Sequence, residues 1–268
     1  MIVKVNGEQY DTPVKSLYEL KTDCGYNKNN IVTIINGYQT DENKILSEND
    51  TICFIEKGVM PDERQLKEMM RSRHTPGVYD AVKNARVAVA GLGGLGSNIA
   101  IMLARTGVGH IHLIDFDMVD ASNLNRQQYG IKHLGMYKTD ALKEELKEIN
   151  PFLDITTDCV KIDKENANIL LKNDDIICEA FDNPEAKAML TDVVLSDTDK
   201  ILVAASGMAG IGSSNTIITK KITDRFYICG DGVTAAQEGM GLMAPRVTIC
   251  AAHQANMIIR LITGIKET

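Results

Sequence analysis

The run Val87-Ala88-Val89-Ala90-Gly91-Leu92-Gly93-Gly94-Leu95-Gly96 constrains this chain more than any other stretch, because an apolar strand passes directly into a glycine turn and then into a helix. Gly91 suits the tight turn, Gly93 lets backbone approach a ligand with no side chain between, and Gly96 allows the helix to lie close on its strand. A helix over about 94–106 would aim its positive N-terminal end at an anion held in that turn. The pattern predicts an α/β protein with a nucleotide phosphate site. A plain strand-to-helix connection is the alternative reading of the glycines alone.

The segments C-terminal to this helix narrow the chemistry. Ile111-His112-Leu113-Ile114 reads as the second buried strand and ends in Asp115-Phe116-Asp117, about where a ribose-binding acid is expected. Then come Ser122-Asn123-Leu124-Asn125-Arg126-Gln127, Lys138 opening an amphipathic helix, a strand over 175–180, and Asp182-Asn183 at its C-terminal edge. That set supplies cations for a triphosphate and an acid for a metal, which a nicotinamide enzyme would not require. Taken singly, Lys138 reads equally well as a solvated helix residue, and Asp182-Asn183-Pro184 as a helix start.

With these segments in order, and with Arg105-Thr106-Gly107-Val108-Gly109 and Gly241-Leu242-Met243-Ala244-Pro245 beside them, the chain from about Ala85 to Gly264 resembles the ThiF/MoeB/HesA family. These are relatives of the ubiquitin-activating enzymes that adenylate the C-terminus of a β-grasp carrier protein. The resemblance implies that Gly94 contacts phosphate, Asp115 the ribose, Asn123 and Arg126 the phosphates, Lys138 the phosphates from the far side, and Asp182 a magnesium ion. The nucleotide site so outlined takes in Gly91, Gly93 and Gly96, Asp117, Ser122, Leu124 and Asn125, and Asn183. In the family an arginine shortly before the first nucleotide strand reaches the ATP of the neighbouring subunit of a homodimer. Arg73 or Arg71 lies in that region, and a solvated arginine on a linker helix is the other reading. The chemistry suits these residue types: a carboxylate attacks the α-phosphate of ATP, giving an acyl-adenylate and pyrophosphate. Arg126 and Lys138 would offset the charge that gathers on phosphate, with no covalent enzyme nucleophile needed. Asp182 could hold magnesium through one carboxylate while the ion keeps waters and phosphate oxygens.

The first residues form a separate unit. Ile2–Val5 alternates like a strand, Asn6-Gly7 signals a hairpin, Ser16–Leu20 starts a short helix, and Ile31–Ile35 and Thr51–Ile55 read as strands. This is the order of a β-grasp domain, and Ile34-Ile35-Asn36-Gly37 with Leu46–Ile52 resembles the ThiS sulfur-carrier family. A working carrier ends in a free Gly-Gly tail, whereas here the last strand runs into Glu56-Lys57-Gly58-Val59-Met60-Pro61 and on. The domain is therefore expected to dock partners or build the dimer, not to be adenylated. The expected division is a ThiS-like domain over 1–57, a helical linker over 58–85 that gives way at His74-Thr75-Pro76-Gly77, and a ThiF-like Rossmann domain with a mainly parallel sheet over 86–268.

The chain has 268 residues and a formal net charge of -7, with no dense basic stripe, so nucleic acid is not expected as the main partner. No apolar run approaches the roughly 18 residues of a spanning helix, and no signal core opens the chain, so a cytoplasmic protein is expected. The 6 cysteines stand singly and read as reduced and mostly buried. Many family members hold zinc with two Cys-x-x-Cys pairs. Cys229 and Cys250 do not supply that set, and zinc is expected to be absent. The loop over 231–239 carries no thiol, so the reaction is expected to stop at the acyl-adenylate, with sulfur coming from a separate persulfide donor. Further strands are expected over 200–205, 215–219 and 225–229, and a last helix over 246–262 with His253 as a structural residue. The reading is a ThiF-like sulfur-carrier adenylyltransferase of thiamine biosynthesis. A cyclase of threonylcarbamoyladenosine in tRNA and a non-catalytic nucleotide-sensing module are the alternatives.

Overall fold

The computed structural model describes residues 1–74 and 76–268, in two compact units, Met1–Asp80 and Ala81–Thr268. The first unit is built from β1 (Ile2–Val5), β2 (Glu8–Asp11), α1 (Leu17–Asp23), β3 (Ile31–Ile35), β4 (Tyr38–Gln39), β5 (Thr51–Glu56) and α2 (Glu63–His74). Asn6 and Gly7 both take positive φ, which makes the two-residue β1–β2 hairpin. Ser16 starts α1 through a capping box in which its hydroxyl accepts from Glu19 N–H and the Glu19 carboxylate accepts from Ser16 N–H.

The strands run in the order β2-β1-β5-β3-β4, with β1 and β5 parallel and the other pairs antiparallel. Because side chains alternate along a strand, Ile31, Ile35, Ile52 and Phe54 pack on the α1 side with Leu17 and Leu20, while Val32, Ile34, Cys53 and Ile55 form a second apolar face. Met69 of α2 packs on that second face. The helix begins at Asp62, whose carboxylate accepts from Gln65 N–H, and Gln65 also donates to the Phe54 carbonyl on β5. The expected yielding of this helix at 74–77 includes Thr75, which lies outside the described residues.

Helix α3 (Pro76–Val82) runs across the boundary, and the second unit then has β6 (Arg86–Ala90), α4 (Gly94–Thr106), β7 (His110–Ile114), α5 (Lys138–Ile149), β8 (Asp154–Asp158), α6 (Ala167–Leu170), β9 (Ile176–Glu179), α7 (Pro184–Asp197), β10 (Ile201–Ala205), β11 (Ile218–Thr223), β12 (Phe226–Gly230) and α8 (Ala244–Ile262). Its sheet has the order β11-β12-β10-β9-β6-β7-β8, parallel throughout except for the β11–β12 pair. Both faces of β6 are fully buried, Val87 and Val89 on one and Ala88 and Ala90 on the other, as expected of a central strand covered by helices on both sides.

The chain leaves β6 toward β7 and β8, then returns to β9 on the opposite flank of β6. Such a reversal opens a crevice outside the carboxyl ends of the strands, where open α/β sheets bind ligands. Among the described residues no helix is long and apolar enough to cross a membrane.

One expectation needs correction, and one strand of the larger sheet is not expected from the sequence. The strand expected over 215–219 lies at Ile218–Thr223, because Ser213 caps a short 3-10 turn over Ser214–Thr216 with its hydroxyl accepting from Asn215 N–H. Strand β8 is an addition to the strands expected from the sequence.

Candidate functional site

Gly91 opens the crevice with φ near +90°, and its amide donates to the Ile114 carbonyl at 2.9 Å. A β-carbon at Gly91 would also crowd the Ala180 carbonyl at the end of β9, so this turn is fitted to both flanks of the reversal. Leu92 N–H donates to the Asp115 carboxylate at 2.6 Å, and the Tyr129 hydroxyl donates to the Leu92 carbonyl at 2.8 Å. Helix α4 then starts at Gly94, with Gly93 as a cap that offers no side-chain acceptor. The first amides of a helix have no acceptor inside it, so this end of α4 presents donors to an anion.

Arg126 lies over that helix end, its aliphatic stem against Gly94. Its guanidinium donates to the Ser122 carbonyl at 3.2 Å and to Asn125 Oδ1 at 2.8 Å, while its Nε is buried without a partner. Asn98 of α4 holds the same segment by donating to the Arg126 carbonyl at 3.1 Å. Asn123 is occupied locally, with Oδ1 accepting from Asp120 N–H in the capping of a short 3-10 turn. Leu124 packs on the main core. Ser122 and Asn125 thus hold the arginine in place.

Lys138, at the start of α5, is buried and not solvated. Its Nζ pairs with Asp117 at 2.7 Å and lies 4.0 Å from Asp115. The Asp115 carboxylate accepts from both Leu92 and Asp117 N–H, so it braces the glycine turn as well as facing the crevice. Burial pushes its carboxyl above the usual range, against the pull of Lys138 and the two backbone donors.

Across the crevice, Asp182 is exposed in the turn after β9, and Asn183 caps α7 by accepting from Ala186 N–H at 2.8 Å. Among the described residues no group of three or more His, Cys, Asp or Glu is arranged for a metal. Magnesium needs less, since one carboxylate with phosphate oxygens and waters completes its shell. Asp182, exposed beside the helix end and without a hydrogen bond among the described residues, fits that part.

Arg73 is exposed on α2, and Arg71 pairs with Glu68 and Asp80; both belong to the first unit. Three residues given no role of their own in the sequence reading stand out in the fold. Gln127 is buried, with its Oε1 unpartnered. Glu179, which is buried, and Lys187, which is half-buried, form an ion pair at 2.9 Å next to the Asp182 turn. Gln127 closes the Ser122–Gln127 run that the sequence reading singles out, with no role of its own there. The other two carry no local signal. Cys229 is buried with its thiol pushed up to about 11 by burial, and the His253 ring lies 3.0 Å from the Thr219 hydroxyl.

A parallel sheet reversing at β6, a glycine turn feeding an open helix N-terminus, and two cations with a carboxylate at that edge define a Rossmann-like nucleotide-binding domain. The ThiF family model matches residues 63–268, and the chain belongs to that family. A ThiS-like ubiquitin model matches residues 1–58.

Among curated relatives, the adenylyltransferase and sulfurtransferase UBA4 of Candida glabrata is 33% identical over 192 residues, covering 69% of this chain and 44% of that protein. The chain thus spans less than half the length of that relative. Among solved structures, the Escherichia coli tRNA N6-threonylcarbamoyladenosine dehydratase TcdA in complex with ATP aligns with a TM-score of 0.68 at 20% identity, over 77% of this chain and 97% of that one. Escherichia coli MccB with AMPCPP and MccA aligns with a TM-score of 0.56 at 21% identity, over 78% and 73%. The last two are likenesses of fold.

Proposed function

We propose that this chain uses ATP and magnesium to adenylate the C-terminal Gly-Gly carboxylate of a separate ThiS-like sulfur carrier, releasing pyrophosphate. The observation that carries the reading is the convergence of Arg126, with its unpartnered Nε, on the uncapped N-terminus of α4. In this reading the α4 amides and Arg126 hold the phosphates, and Lys138 exchanges part of its pairing with Asp117 for a phosphate oxygen. Asp115 or Asp117 takes the ribose hydroxyls. Asp182 would hold the magnesium, which neutralises phosphate charge when bound. Membership of the ThiF family, the ThiS-like ubiquitin match over residues 1–58 and the similarity to the adenylyltransferase and sulfurtransferase UBA4 support a ubiquitin-like carrier as the substrate class.

The finer assignments belong to the same proposal. They are a ThiS-like carrier of the thiamine pathway, a separate persulfide donor, a homodimer in which Arg73 acts across subunits, no structural zinc, and a cytoplasmic location. Residues 1–57 would act in docking or assembly, because the chain continues past Gly58 through a peptide bond that has no carboxylate to attack ATP. The net charge of -7 weighs against a tRNA substrate. Incubation with ATP and candidate carriers ending in Gly-Gly should yield carrier heavier by one AMP, together with carrier-dependent ATP–pyrophosphate exchange. Exchange with no carrier present, or none with any carrier, would count against it.

A further inference from the structure

The turn Ala180-Phe181-Asp182-Asn183 joins β9 to α7 and carries the one carboxylate assigned above to magnesium. Its exposed aspartate sits between residues that are firmly held. Ala180 N–H donates to the Ala90 carbonyl of β6 at 2.9 Å, and Phe181 N–H donates to Glu179 Oε1 at 2.7 Å. Glu179 is 1% exposed, and both of its oxygens also accept from Lys187 Nζ, at 2.9 and 3.0 Å. Lys187 stands on the first turns of α7 and donates a third bond, at 3.1 Å, to the Ala205 carbonyl at the end of β10. Gln254 of α8 reaches in from the other face to donate to the Glu179 carbonyl at 3.0 Å.

The Lys187 ammonium thereby ties three elements, β9, α7 and β10, at the edge of the sheet where Asp182 emerges. An ion pair with one buried and one half-buried partner is a poor source of net stability, since desolvation of the carboxylate offsets much of the Coulombic gain. Fixing one backbone geometry is what this arrangement does well, because the Glu179 carboxylate meets the Phe181 amide and the Lys187 ammonium at once. From this geometry we infer that Glu179 and Lys187 are positioning residues that set the Asp182 carboxylate for capture of the divalent cation accompanying ATP. The inference rests on the proposed function for the identity of the nucleotide and for the assignment of Asp182 to the divalent cation.

The test is calorimetric binding of the non-hydrolysable analogue AMPCPP to the full chain across a magnesium titration. Wild type should gain affinity as magnesium is added. In Lys187→Met the magnesium concentration giving half of that gain should rise by about tenfold or more, the usual cost of removing a group that orients a metal ligand. Metal-free AMPCPP affinity should stay as in wild type, because the α4 amides and Arg126 are untouched. Lys187→Arg keeps the charge and should restore the wild-type midpoint.

Lys187→Met leaves a buried carboxylate unpaired and risks misfolding. The double variant Glu179→Gln/Lys187→Met removes the charge while keeping an acceptor for Phe181 N–H, and it should show the same raised midpoint through loss of the tether to α7 and β10. Variants that melt earlier but keep the wild-type magnesium midpoint would overturn the positioning role, as would a wild type whose AMPCPP affinity does not respond to magnesium. A wild type that binds AMPCPP with magnesium, shows the shifted midpoint in the variants, and yet gives no carrier-dependent exchange would overturn the adenylation reading alone.

Discussion

Gly96 lies so close beneath the carbonyl oxygen of Gly91 that a β-carbon at position 96 would overlap it, with Val89 crowding the same space. The first turn of α4 therefore packs directly on the loop that precedes it, and neither neighbour is a flexible side chain that could yield. Gly96→Ala should cost at least the ~1–3 kcal/mol of an overpacked core, because backbone has to move. Urea unfolding measures this, and an alanine variant as stable as wild type would mean that the turn is looser than described.

The two sides of the crevice can be separated by mutation. Arg126→Ala removes a cation from the α4 end, and Asp182→Ala removes the carboxylate opposite it. Each should lower carrier-dependent ATP–pyrophosphate exchange by about a hundredfold or more, the scale for losing a group that stabilises developing phosphate charge. Neither should change the melting temperature much, since Asp182 is exposed and the Arg126 side chain is hydrogen-bonded only to Ser122 and Asn125 of its own segment, while the bond from Asn98 goes to its main-chain carbonyl and survives the substitution. Exchange at the wild-type rate in both variants would remove them from the site.

Local pattern carries the architecture further than it carries the site. The helix expected over 94–106 coincides with α4, and Lys138 opens α5 as expected, because glycine turns and helical periodicity are written in adjacent residues. Strand β8 escapes such a reading since Asp154-Ile155-Thr156-Thr157-Asp158 shows no apolar alternation; Asp154 and Asp158 meet His110 and His112 of the neighbouring strand instead. For the same reason Lys138 is legible as a cation but not as the buried partner of Asp117. Glu179 and Lys187 are invisible in the sequence because their meaning lies in contacts with β10 and with the Phe181 amide.

His112 supplies a pH dependence. Its Nδ1 lies 2.8 Å from Asp174 and its Nε2 2.8 Å from Asp158, and only an imidazolium can donate from both nitrogens. Burial pulls its pKa down, but the bonds and charges of Asp174 and Asp158 outweigh that, and the net direction is up. A folded-state pKa above the unfolded one of about 6.5 gives stabilisation that is fully present below that value and is lost as pH rises through the folded pKa. Wild type should lose more stability between about pH 6 and about pH 9 than His112→Gln does. Urea midpoints at the two pH values test this, and equal losses in both proteins would show that His112 is not charged in the fold.

The thiols should differ sharply in reactivity. Cys159 is exposed and Cys24 half-buried, whereas Cys53, Cys178, Cys229 and Cys250 are buried. Burial pushes Cys53 and Cys250 up to about 12 and Cys229 to about 11, so almost none of their thiolate exists near neutrality. A chromogenic thiol reagent should react first at Cys159 and reach the buried four only after denaturation. Metal analysis of the same native protein should find less than one zinc per chain. A stoichiometric zinc, or fast labelling at Cys229, would reopen the question of a thiolate ligand or nucleophile on β12.

The β-grasp unit should need α2 to be stable by itself. Strands β3 and β5 are apolar on both faces, and α1 covers only one; Val32, Ile34, Cys53 and Ile55 make the other, with Met69 of α2 against it. Gln65 anchors the same helix to the Phe54 carbonyl at 3.3 Å. A fragment of residues 1–57 would expose that second face to water, at a cost of about 25 cal/mol for each Å² of apolar surface uncovered. A fragment of residues 1–80 keeps the helix. The longer fragment should stay monomeric and melt cooperatively, and the shorter should aggregate or melt at a clearly lower temperature. Equal behaviour in size-exclusion and thermal melts would show that α2 contributes nothing to the β-grasp unit.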